Sequence, residues 1–145
     1  MKNRGFLVAL ILGFSSQLLA AEQWNAWRGP RGDGTSKETG IPTSFSTTKN
    51  VRWQVEIPGD GYSSPIVWGD QIFLTSCGLD EKREEKSRQL ICVSRVSGKI
   101  QWSKTVLRAP LERKHRLNSY ASATPATDGK HVWVAFMEYP TVVVV

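Results

Sequence analysis

Two cysteines (Cys77 and Cys92), two histidines (His115 and His131) and six tryptophans are the side chains of this 145-residue chain with the most chemistry to offer. His115 falls in a polar stretch and His131 at the start of an apolar one. Neither has a second His, a Cys or a carboxylate at metal-ligand spacing. Tyr62-Ser63-Ser64-Pro65 lacks the Gly-x-Ser-x-Gly elbow of a nucleophilic serine, and Pro directly after Ser64 fits entry into a strand better than a strained turn. Gly29, Gly32 and Gly34 offer no phosphate cradle, because no strand precedes them and no helix follows. Arg31-Gly32-Asp33 matches an adhesion tripeptide by its letters alone. No residue is therefore assigned a catalytic, cofactor-binding or metal-binding role.

The cysteines flank residues 78–89. If that segment folds as a hairpin about residues 84–85 they come opposite each other, and in an oxidising compartment a bridge closing such a loop contributes about 3 kcal/mol. The alternative is a pair of buried free thiols packed as small hydrophobes. The tryptophans could stack a flat ligand, but the repeat positions of Trp53 and Trp102, described below, suit packing better.

Charge excludes little. The chain holds 19 Lys and Arg against 13 Asp and Glu, a net charge of +6. Lys104, Arg108, Arg113, Lys114 and Arg116 gather in one stretch, but Pro110 and Glu112 interrupt it and no aromatic interleaves with it. It reads as a solvated loop, and no nucleic-acid partner is expected. The mixed-sign run Asp80 to Arg88 also reads as a solvated excursion.

These residues need elements to hold them, and the first 21 residues are not among those elements. Lys2 and Arg4 precede an apolar core, Phe6 to Phe14, which Ser15-Ser16-Gln17 ends. That order predicts a signal peptide over residues 1–21, cut after Ala20 or Ala21. The apolar run is too short for a spanning helix, which needs about 18 residues. An exported protein is expected, periplasmic or extracellular, touching the membrane only through the signal peptide. Without residues 1–21, which carry Lys2 and Arg4, the net charge is +4.

Composition then sets the class. Hydrophobic residues make up 40% and charged residues 22%, a globular proportion, with 12 Gly and 7 Pro spread among the aromatics. Short strands between turn-formers fit that mixture, and no segment shows a helical period with caps. Val51, Trp53, Val55 and Ile57 alternate with polar residues, the period of a half-buried strand. Strands are predicted at Ile66 to Trp68, Ile72 to Ser76, Leu90 to Val93 and Ile100 to Val106, with turns at Gly69-Asp70 and Ser97-Gly98. Ala126-Thr127 and His131 to Phe136 restart the series around Asp128-Gly129.

The restart is a repeat. Ser64-Pro65-Ile66-Val67-Trp68-Gly69-Asp70-Gln71-Ile72-Phe73-Leu74 aligns without gaps on Thr124-Pro125-Ala126-Thr127-Asp128-Gly129-Lys130-His131-Val132-Trp133-Val134, an offset of 60 residues that equates Pro65 with Pro125. At an offset of 49, Val51-Arg52-Trp53 matches Ile100-Gln101-Trp102. Four antiparallel strands followed by a restart are the unit of a β-propeller. Ser94-Arg95-Val96-Ser97-Gly98-Lys99-Ile100-Gln101-Trp102 resembles the PQQ-like (quinoprotein-type) propeller repeat, Ala-x-Asp-x-x-Thr-Gly-x-x-x-Trp, of which Gly98 and Trp102 are kept while Cys92, Ser94 and Ser97 replace the other three. Trp27-Arg28-Gly29-Pro30, Pro58-Gly59-Asp60-Gly61-Tyr62-Ser63-Ser64-Pro65 and Asn118-Ser119-Tyr120-Ala121-Ser122-Ala123-Thr124-Pro125 resemble the N-terminal part of exported bacterial PQQ-like proteins. The outer-membrane-assembly propeller lipoprotein has a related repeat.

The resemblance spans residues 24–136 and implies an all-β propeller segment of about one and a half blades, with quinoprotein alcohol dehydrogenase-like sheets. After the signal peptide, residues 22–50 form a Gly/Pro-rich loop segment. Residues 51–145 carry the repeats: a closing strand at 51–57, blade one at 62–106 and a partial blade two at 120–145. Thr141 to Val145 reads as an unpaired apolar edge, so the chain is expected to be the N-terminal fragment of a longer propeller, with a small self-sufficient β domain as the alternative. The expected function is a non-catalytic binding or scaffold module for a protein or other macromolecular partner, with no cofactor. The alternative is the N-terminal part of a PQQ-dependent dehydrogenase, which implies PQQ with a Ca²⁺ site of Glu, Asn and Asp. A truncated reading frame without independent function is a third reading.

Overall fold

The computed structural model describes residues 22–79, 85–110, 113–138 and 141–144. The expected signal peptide, residues 1–21, and residues 80–84 of the run Asp80 to Arg88 lie outside them. The described chain is all-β, and no helix occurs among its residues.

Strands β1 (Ile66–Trp68), β2 (Gln71–Leu79), β3 (Glu85–Ser94) and β4 (Ile100–Pro110) form one antiparallel sheet in chain order. Gly69, at φ +57°, makes the first turn, and Gly98, at φ +70°, makes the last. Both are conformations that L side chains rarely adopt, so these glycines are structural requirements. Two register shifts, at Arg88/Gln89 and Cys92/Val93, leave Val106 and Gln101 of β4 as extra residues and bend the outer strand. The strands run further than their apolar cores predict, β3 starting at Glu85 and β4 ending at Pro110. Ladder bonds belong to the backbone, so polar residues extend a strand wherever a partner continues beside it.

The second unit begins as the repeat requires. β5 (Ala126–Thr127) pairs with β6 (Val132–Trp133), Ala126 facing Trp133 and Thr127 facing Val132. In the first unit Ile66 faces Phe73 and Val67 faces Ile72, so the 60-residue offset carries one hairpin register onto the other. Pro65 is exposed and Pro125 buried, each directly before its strand. The single strand expected over His131 to Phe136 divides at Val134. β5 lasts two residues, so the chain beyond β6 takes a new partner: β7 (Ala135–Glu138) pairs with β8 (Thr141–Val144). The apolar run at 141–144 is therefore paired with β7, which corrects its reading as an unpaired edge.

The main core lies between the two units. Ile66, Phe73, Cys77, Leu90 and Cys92 of the first sheet pack with Ala121, Val134 and Phe136 of the second unit. Ile91 and Val93, on the opposite face of β3, are buried as well, so this sheet is covered on both sides. Residues 51–57 make no ladder among the described residues. Trp53, Val55 and Ile57 are half-buried and their neighbours exposed, so the two-residue period is present without a partner strand. Segments outside the sheets tie the units together. Trp24 bridges Val67 through bonds of 3.0 and 2.7 Å, while the amide of Thr127 donates to the Asn25 carbonyl at 2.9 Å.

Three tryptophans lie on three glycines of positive φ. A Cβ on Gly98 would sit 2.5 Å from Trp53, one on Gly129 2.5 Å from Trp68, and one on Gly29 2.7 Å from Trp24. The Trp53 indole also donates to the Arg95 carbonyl at 2.9 Å. Trp102, its counterpart in the 49-residue match, is 40% exposed and tilts against Phe73 with ring centroids 6.0 Å apart. The two tryptophans thus differ in surroundings: one is docked on a turn, while the other faces partly outward.

Candidate functional site

The β2–β3 register decides the fate of the cysteines. Cys77 faces Arg88 and Cys92 faces Phe73, so the pair expected to lie opposite each other is offset by four residues along the sheet, about 13 Å. Both thiols are buried and neither is in a disulfide. Burial pushes the Cys92 thiol up, keeping it protonated, and its Sγ lies 3.2 Å from Gln101 Oε1. The disulfide reading assumed a hairpin centred on 84–85, whereas the observed pairs place the centre two residues earlier.

The same register builds a site at one end of the first sheet. Lys86, Arg88, Leu90 and Cys92 alternate along one face of β3, and the stripe turns from apolar to cationic toward Lys86. The loop 113–122 crosses that end and brings Tyr120 over it. Lys86 Nζ lies 5.0 Å from the Tyr120 ring centroid, Arg88 Cζ 5.2 Å and Lys114 Nζ 5.3 Å. Each cation over the ring face contributes about 0.5–1 kcal/mol. Arg88 is fully buried, and its Nη1 donates to the carbonyls of Lys86 at 3.0 Å and Ala109 at 2.9 Å, joining β3 to β4. The solvated reading of Asp80 to Arg88 is thus corrected at its end, where Ser87 and Arg88 are buried. An arginine with an aliphatic stem and bonds to carbonyls is one of the few charges a sheet face can hold.

Polar bonds shape the loop. Lys114 Nζ donates to the Asn118 carbonyl at 2.6 Å, and Asn118 N to the His115 carbonyl at 3.0 Å. The hydroxyls of Ser119 and Ser122 lie 3.0 Å apart, and Ala121 N donates to Ser119 Oγ at 3.2 Å. The Ala121 carbonyl accepts from Tyr62 N at 2.9 Å and Ser63 N at 3.2 Å, fastening the loop before β5 to the loop before β1. Two adjoining cavities, of about 400 and 270 Å³, share Lys114, Asn118, Ser119 and Tyr120. The larger reaches Phe136 and Met137, and the smaller reaches Asp60, Tyr62, Lys86 and Arg116.

This arrangement can attract and hold. The Ser119 and Ser122 hydroxyls bond neither His nor carboxylate among the described residues. No three of His, Cys, Asp and Glu come together among the described residues. The remaining sequence features lie elsewhere. Arg31 bonds Glu22 and the Thr35 carbonyl, while Asp33 Oδ1 accepts from Thr35 N at 2.8 Å, so the Arg31-Gly32-Asp33 side chains are engaged within their own loop. His131 stands on the β5–β6 turn, 3.3 Å from Asp128, away from these cavities. Lys104 and Arg108 lie exposed on β4, whereas Arg113, Lys114 and Arg116 line cavities. Sequence reasoning found no aromatic among the basic residues because Tyr120 follows their stretch and joins it through the loop. The usable signal was the two-residue spacing of Lys86 and Arg88 leading into the apolar alternation of β3.

No protein-family model, curated protein or solved structure matches the chain.

Proposed function

We propose that this chain is an exported, non-catalytic binding or scaffold module built from PQQ-like propeller repeats, serving in the periplasm or outside the cell. The observation that carries the reading is the register identity of the two hairpins at an offset of 60 residues, following a four-stranded antiparallel meander. The seating of Trp53 on Gly98 and of Trp68 on Gly129 supports it, because each indole ties one segment to the turn of the next and repeat arrays are held by contacts between neighbours. One sheet and a restarted unit fall short of the roughly four blades that a ring needs, so the reading makes the chain the N-terminal part of a longer propeller.

Binding is favoured over catalysis by the loop end. Its cations converge on an aromatic ring between two cavities, and the hydroxyls present are bonded to one another instead of to a base. The partner is a protein or other macromolecule outside the cytoplasm, not nucleic acid. The competing reading, the N-terminal part of a PQQ-dependent dehydrogenase, requires PQQ held with Ca²⁺ by Glu, Asn and Asp. No described residue is assigned to that ion. Titration calorimetry of the secreted protein with PQQ, with and without Ca²⁺, separates the two. The binding-module reading predicts no Ca²⁺-dependent heat, and stoichiometric Ca²⁺-dependent binding would replace it with the enzyme.

A further inference from the structure

We propose that the 270 Å³ cavity beside Tyr120 is a binding site for a small polyanion, a compact molecule bearing two or more carboxylate or phosphate groups. The inference rests on the binding-module reading and deepens it by naming the chemistry of a ligand. Lys86, Lys114 and Arg116 line this cavity, and Asp60 is the one carboxylate among its described lining residues. None of these three cations forms an ion pair with a carboxylate among the described residues; the ion pairs there are Arg31 with Glu22 and Asp33, and His131 with Asp128.

Like charges gathered over one ring repel each other, and in a concave, partly desolvated site that repulsion is screened less than on an open surface. A multiply charged anion relieves it. The surroundings fix the cations in place for that task. Lys114 is held by the Asn118 carbonyl, Lys86 projects from a paired strand, and the buried charge of Arg88 adds to the potential from beneath. Asn118 and Ser119 supply uncharged polar groups at the rim. The volume lies just below the about 300 Å³ at which pockets for drug-sized ligands begin, so the ligand is compact and the site is no groove for a chain. Ammonium groups act as point charges, and a guanidinium takes either carboxylate or phosphate bidentately, so both sources share the recognition chemistry.

The test is titration calorimetry of the full chain in buffer stripped of divalent metal by a chelating resin, at fixed ionic strength, with citrate as the polycarboxylate, pyrophosphate as the phosphate and glucose as the neutral control. One-site binding of citrate or of pyrophosphate is expected, weakened at least ten-fold in K86Q/K114Q and unchanged in K104Q, whose lysine is exposed on β4. Whichever anion binds names the source. Melting curves verify that the double variant is folded. If it is not, R116Q, in an exposed loop, carries the test with an expected loss of about three-fold. Neither anion binding above the glucose control overturns the proposal, as does binding that the variants leave unchanged. The metal-free buffer keeps this outcome separate from the Ca²⁺-dependent PQQ binding that would overturn the binding-module reading itself.

Discussion

Replacing Gly98 with alanine tests whether the Trp53 indole docks on the turn between β3 and β4. Two costs are separable. Gly98 stands at φ +70°, where an L side chain loses about 1–2 kcal/mol. The new Cβ would also sit 2.5–2.7 Å from three indole carbons of Trp53, against an optimal separation of about 3.5–4.0 Å. Relieving that overlap means moving the indole by about 1 Å. Overpacking of this kind costs about 1–3 kcal/mol, and weakening the indole bond to the Arg95 carbonyl adds about 1 kcal/mol. G98A is expected to lose about 3–6 kcal/mol. Gly69 provides the control: φ is +57° but nothing lies within 4 Å of the place its methyl group would take, so G69A should lose only the backbone cost. Urea unfolding followed by far-ultraviolet circular dichroism measures both, and a double-mutant cycle with W53A isolates the contact. In the W53A background the penalty of G98A should fall to that of G69A. Equal penalties for G98A and G69A in the wild-type background, or a G98A penalty that survives removal of the indole, would refute the docking.

Other outcomes follow from the same geometry. Both thiols should resist a thiol reagent in the native protein and titrate in full in denaturant without reductant; their absence there would reveal the bridge that the strand register opposes. Asp128 is held down to about 2 by the amides of His131 and Lys130. Its contribution is therefore complete above the unfolded carboxyl value near about 3.9 and is lost as pH falls through about 2, so a carboxyl NMR titration with an ordinary midpoint would contradict the turn. R88A removes a buried arginine that bonds two carbonyls across β3 and β4, and should cost about 3 kcal/mol or more in urea unfolding; a loss under about 1 kcal/mol would contradict its role. Protein recovered from the periplasm or the medium should lack residues 1–20 or 1–21 by intact mass, and retention of Met1 would contradict the proposed signal peptide.

The hairpins were legible because small sets of residues dictate them. Pro65 and Pro125 precede their strands, Gly69 and Gly129 make the turns, and the aliphatic pattern between them sets the pairing. The lengths of β3 and β4 were not legible, since Glu85 to Gln89 and Leu107 to Pro110 are polar or interrupted and owe their ladder to each other. The disulfide expectation failed on a shift of two residues in the hairpin centre, a quantity set by loop geometry that lies outside the apolar pattern. Trp102 shows the limit of a repeat argument: the match located its strand correctly but not its surroundings, which depend on what packs beside β4. The cationic site was hidden for a related reason. Lys86, Arg88, Lys114 and Tyr120 come from segments whose nearness is a property of the folded register, and each alone reads as an ordinary surface or loop residue.

An experimental structure of the protein is the most direct test of the repeat account. It is predicted to show the hairpins β1–β2 and β5–β6 as equivalent strands of successive sheets set around a common axis, with Trp53 on Gly98 and Trp68 on Gly129. A structure in which 126–144 adds strands to the first sheet, or closes face to face upon it as a two-layer sandwich, would contradict the propeller reading.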